Sequence, residues 1–86
     1  MPEISRFYGI VIKMYFGDHL PPHFHAEYGE HEAVIGIETL AAIAGKVPPR
    51  AAGLVTEWAS LRREELVVAW RKAQNLELPG RVDPLP

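Results

Sequence analysis

The stretch Asp18-His19-Leu20-Pro21-Pro22-His23-Phe24-His25-Ala26-Glu27-Tyr28-Gly29-Glu30-His31-Glu32-Ala33-Val34-Ile35-Gly36-Ile37-Glu38 decides the fold. Two adjacent prolines forbid helix and hold the chain extended as it enters His23. From His23 to Tyr28 the side chains alternate: Phe24, Ala26 and Tyr28 point one way, and His23, His25 and Glu27 the other. Gly29-Glu30 is a turn, and the run Glu32 to Glu38, with Ala33, Ile35 and Ile37 on one face, is the returning strand. Residues 18 to 32 therefore read as a histidine-rich hairpin.

Upstream, Phe7 to Phe16 reads as one strand in which Ile10, Ile12, Met14 and Phe16 alternate with Val11, Lys13 and Tyr15, ended by Gly17. Downstream, residues 40 to 47 read as a fourth strand. Alanines favour helix there, but Gly45 and Pro48-Pro49 leave little room for one. From Pro49 the period becomes 3.6. Leu54, Val55, Trp58 and Leu61 form one stripe, and Leu66, Ala69, Trp70 and Ala73 another, slightly out of phase with it. The chain either kinks or starts a second helix at Ser60-Leu61-Arg62. Ser60 has no glutamate three residues on, so no capping box forms. Asn75 ends the helical part, and the Pro- and Gly-containing tail is extended.

These readings predict an α+β fold. An antiparallel β-meander of three to four strands is followed by one kinked or two C-terminal helices packed on one face. Residues 1–86 form one domain, divided into a β-meander (1–47), a helical part (49–75) and an extended tail (76–86).

The 86 residues are 48% apolar and 23% charged, an ordinary globular balance. With no cysteine, the chain excludes disulfide scaffolds, thiolate zinc sites and cysteine nucleophiles. A net charge of −2 argues against a dedicated double-stranded DNA binder. No basic leader precedes an apolar run and no stretch approaches the roughly 20 apolar residues of a membrane span, so neither signal peptide nor membrane association is expected, and the expected compartment is the cytoplasm. There is no glycine-rich phosphate loop, and Ser5 and Ser60 are the only serines, so NTP hydrolysis and serine catalysis are not expected. Trp58 and Trp70 lie on the helical stripes and read as core. Arg62, Arg63, Arg71 and Lys72 alternate with Glu64 and Glu65 and read as a solvated, ion-paired face.

The chemistry-bearing set is the histidine row. Residues two apart on a strand share a face, with Cα atoms roughly 6.5–7 Å apart, so His23, His25 and Glu27 line up. If the first two runs pair across the 17–22 loop, Lys13 and Tyr15 lie near them, and His19 leans over from the loop. Three readings compete. In the first, His23 and His25 supply acid and base to a phosphodiester, Lys13 stabilises charge, and Tyr15 and His19 assist, without a cofactor. In the second, His23 and His25 present two imidazoles to a divalent metal, with Glu27 or His19 as third ligand. In the third, the histidines are structural, either forming the solvated face of the sheet or bonding to loop carbonyls to fix the double-proline turn.

Three segments together carry a family resemblance: Met1-Pro2-Glu3-Ile4-Ser5-Arg6-Phe7-Tyr8-Gly9-Ile10-Val11-Ile12, then Asp18 to Glu30 with its Pro-Pro-His-x-His core, then Glu57-Trp58, Arg63-Glu64-Glu65-Leu66 and Trp70. Over nearly its whole length the chain resembles the small bacterial domain-of-unknown-function family 4160. The resemblance implies a second small protein encoded alongside, in pairs similar to toxin–antitoxin modules; it implies no catalytic residues. Two functions are expected from this. One is a toxin-like component acting on RNA through the histidine hairpin, with a cognate small partner protein. The other is a non-catalytic regulatory or protein-binding module, metal-binding or with structural histidines. A homo-oligomer is compatible with either, and whether the chain is an enzyme is open.

Overall fold

The computed structural model describes residues 3–86; the first two residues of the expected 1–47 meander, and of the Met1-Pro2 opening, lie outside the described residues. Five strands, β1 (Glu3–Phe7), β2 (Ile10–Lys13), β3 (His23–Tyr28), β4 (His31–Gly36) and β5 (Ala42–Lys46), precede two helices, α1 (Pro49–Leu61) and α2 (Arg63–Gln74). The strands form one sheet in chain order, each antiparallel to the next. No described helix is long and apolar enough to cross a membrane.

The α+β class and the meander are as expected, but there are five strands where three to four were predicted. The run Phe7 to Phe16 is not one strand. Tyr8 and Gly9 both adopt positive φ, 49° and 81°, and make a two-residue hairpin between β1 and β2. Tyrosine rarely occupies that conformation, which hid the turn in the sequence. The break among Ser60-Leu61-Arg62 resolves into two helices. Arg62, at φ −114° and ψ 21°, leaves helical geometry, and its amide bonds back to the Trp58 and Ala59 carbonyls. Ser60 caps nothing; its hydroxyl donates to the Glu57 carbonyl.

One face of the sheet builds the core. Ile4, Phe7, Ile10, Ile12, Phe24, Ala26, Ala33 and Ile35 are buried there together with Ala51, Val55, Trp58 and Ala59 of α1 and Leu66, Ala69 and Ala73 of α2. Trp58 is the centrepiece, with its ring 5.2 Å from that of Phe7 and 5.6 Å from that of Phe24. On the opposite face Val11, Lys13, His25, Glu27 and Val34 are only partly buried. This open face carries the candidate site.

The two margins of the sheet differ. At β1 the tail closes the margin. The Val82 amide donates to the Ile4 carbonyl and Arg81 to the Glu3 carbonyl, while Val82 and Leu85 are buried. Trp58 Nε1 donates to the Asp83 carbonyl at 2.8 Å, and Arg62 holds the Asp83 and Pro84 carbonyls. The extended tail thus docks on its own sheet. At the other margin, β5 is exposed along its whole length. Its ladder with β4 is irregular, and Gly45, at φ +66°, sits so close to the Glu32 carbonyl that a Cβ has no room there.

The tail contact is pH-dependent. The Arg6 and Arg81 guanidinium groups bond the Glu3 carboxylate and hold its pKa down from 4.5 to about 2. A carboxylate with a depressed folded pKa stabilises above its unfolded value and loses that contribution as pH falls through the folded one. Protection of the Val82 amide from hydrogen exchange is therefore expected to be full above pH 4.5 and to fall as pH drops towards about 2. A Glu3→Gln chain is expected to lack that step, and an unchanged step in the variant would refute the assignment.

Candidate functional site

The site lies where the 17–22 loop, the start of β3 and the last turns of α2 meet. The loop is tied down from both sides. Gly17 N–H donates to the Ala73 carbonyl, Gln74 Nε2 donates to the Asp18 carbonyl at 2.7 Å, and Ile37 N–H donates to the Pro22 carbonyl. The Leu20–Pro21 peptide is cis. These ties place the Asp18 carboxylate over the first residues of β3.

His23 is 2% exposed, with its ring 5.2 Å from that of Trp70 on α2. Its Nδ1 lies 2.6 Å from the Pro21 carbonyl and its Nε2 2.9 Å from Asp18 Oδ2. His25 is two residues on and partly buried. Its Nδ1 lies 3.1 Å from Glu32 Oε2 and its Nε2 3.4 Å from the same Asp18 Oδ2. The Asp18, His23 and His25 ligand atoms all lie within 4.8 Å of one another. Burial pushes the Asp18 carboxyl up, but hydrogen bonds from the His19 amide and from both imidazoles outweigh it, and the net direction is down.

A carbonyl only accepts, so His23 Nδ1 carries a hydrogen and donates it to Pro21. An ionised carboxylate likewise only accepts, so His25 Nδ1 donates to Glu32. Both Nε2 atoms then face Asp18 Oδ2, which is also an acceptor. A proton between the facing atoms, or a cation shared among the three groups, would fill that space. The outer pattern, a carbonyl behind one imidazole and a carboxylate behind the other, orients both rings the way metal-bound histidines are oriented.

The remaining candidates stand around this centre. Lys13 pairs with His25 in the β2–β3 register, and its ammonium lies 3.1 Å from the Glu27 carboxylate, which raises the Lys13 pKa. Glu27 is thus engaged by Lys13 and is not one of the three converging groups. Tyr15 stands edge-on to His25, ring centres 4.5 Å apart. His19 is exposed, its Nδ1 3.2 Å from Asp18 Oδ1 and its ring 5.5 Å from that of His23. His31 lies at the far end of the hairpin, opposite Tyr28.

Sequence reasoning missed Asp18 and Glu32. Asp18 stands five residues before His23, across a loop whose path a strand period does not give. Glu32 is on the open face by alternation, two residues from Val34, which pairs with His25; carrying the register across the hairpin would have found it.

No curated protein and no solved structure matches the chain. Residues 9–71, well over half of it and including Asp18, His23, His25 and Glu32, match the family described as a domain of unknown function, DUF4160. The chain belongs to the DUF4160 family.

Proposed function

We propose that the chain is a small metal-binding module whose divalent cation is held by Asp18, His23 and His25. The observation that carries this reading is the acceptor arrangement: both Nδ1 atoms are engaged by oxygens, and both Nε2 atoms converge on one carboxylate oxygen. Metal–nitrogen and metal–oxygen bonds near 2.0–2.2 Å put neighbouring tetrahedral ligands roughly 3.3 Å apart. The two imidazole–Asp18 spacings, 2.9 and 3.4 Å, already lie near that value. Two imidazoles and one carboxylate suit zinc, nickel or manganese, and leave a coordination position for water or another ligand.

Zinc titration into the metal-stripped chain is expected to give one equivalent bound and a higher melting temperature, reversed by chelator. No saturable binding, or binding that leaves the melt unchanged, would overturn the reading.

A second reading, a toxin-like component acting on RNA beside a cognate partner protein, is favoured by one observation. Lys13 and Tyr15 flank His25 on the open face, an arrangement that would suit phosphodiester cleavage. The burial of His23 weighs against its touching a substrate, so His25 carries that reading. RNA cleavage that persists in chelator and is lost in a His25→Ala chain would favour it over the metal.

A further inference from the structure

At the end of β3 away from His23, roughly 16 Å along the strand, lies a cavity of about 590 Å³ lined by Tyr8, Tyr28, Arg50, Ala51 and Leu54. We infer that this cleft binds a nucleotide, its base on the tyrosine rings and its phosphate on Arg50.

The two aromatics are unusually placed for a structural role. Tyr8 is 60% exposed and Tyr28 38% exposed, so neither serves the core. Tyr8 holds a left-handed turn position, φ 49°, where asparagine or glycine is at ease and tyrosine is strained. Burial does not offset that strain. Its hydroxyl donates to the Pro86 carbonyl at 2.8 Å, which fixes the ring at the cleft. Tyr28 lies against Gly9, the second residue of the turn, whose φ of +81° suits glycine.

Arg50 supplies the charge. Among the described residues its guanidinium has no carboxylate within ion-pair distance and no hydrogen-bond acceptor, unlike Arg6, Arg62, Arg63 and Arg81. An unpaired guanidinium beside two exposed phenol rings, over a floor of Ala51 and Leu54, offers a π-face and a phosphate-binding fork together. The cavity volume is that of a small-ligand site. A free mononucleotide and one nucleotide of a single-stranded RNA present the same chemistry.

The test is ligand-observed NMR with adenosine and uridine 5′-monophosphates, ribose 5-phosphate and a six-residue oligouridylate. Either mononucleotide is expected to bind, with ribose 5-phosphate at least about tenfold weaker, because stacking supplies much of the affinity. Tyr8→Asn, which suits the turn, and Arg50→Gln, at an exposed position, are each expected to weaken binding about tenfold or more while the amide spectrum stays dispersed. Binding of the oligonucleotide alone, with the same dependence on both residues, identifies RNA as the source and also supports the cleft. No binding by any probe, equal binding of ribose 5-phosphate, or variants that bind like the parent would overturn the inference. None of these outcomes depends on the metal centre.

Discussion

A Trp58→Ala chain is expected to lose about 3–5 kcal/mol of folding free energy, the range for removing a large buried aromatic. Trp58 is fully buried, touches the rings of Phe7 and Phe24, and joins β1, β3 and α1 in one cluster. Its indole N–H also holds the Asp83 carbonyl, so the same change frees the tail. Small domains have about 5–15 kcal/mol of stability in all, so this chain would be left marginal. Urea unfolding of the two proteins measures the loss. A difference below about 1 kcal/mol would mean that the core rests elsewhere. Trp58→Phe, which keeps most of the packing and drops the N–H, should fall between them.

Asp18→Asn is expected to weaken zinc binding about a hundredfold or more while leaving the fold intact, since ligand loss exceeds the 10- to 100-fold cost of outer-shell changes. Asparagine keeps the size of the side chain and an oxygen for the His19 amide, now bonded at 2.9 Å. It removes the negative charge on which both Nε2 atoms converge. Competition against a chromophoric chelator reads the affinity, and an unchanged thermal melt of the metal-free protein shows that the fold survives. An affinity within about threefold of the parent would sink the assignment of Asp18 as a ligand. Glu27→Gln is the informative contrast. Glu27 is engaged by Lys13, so its loss should leave zinc binding nearly untouched.

The hairpin was legible because strands have a period of two. Phe24 and Ala26 are buried, and His25 and Glu27 lie on the opposite, half-open face, as alternation requires. Of the helical stripes, Val55, Trp58, Leu66, Ala69, Trp70 and Ala73 are buried and Leu54 is partly buried, but Leu61, the last residue of α1, is exposed. Alternation fails for His23. It shares a face with His25, yet Trp70 of α2 and the folded-back loop bury it. Burial at the end of a strand is set by what crosses over it, and a period carries no such information. The same holds for Asp18, whose position is fixed by Gln74, 56 residues away. The Tyr8-Gly9 turn was lost for a local reason: its first residue is one that rarely adopts the required φ.

The unequal margins of the sheet set how molecules of this chain can join to one another. With the tail down, the Glu3 and Ile4 carbonyls are taken, while β5 is exposed along its length, so among the described residues the β5 side is the margin open to a further strand. The left-handed backbone at Gly45 bends even that side out of a straight ladder. Lifting the tail would bare the Glu3 and Ile4 carbonyls too, and a unit with two open rims can string into open-ended polymers.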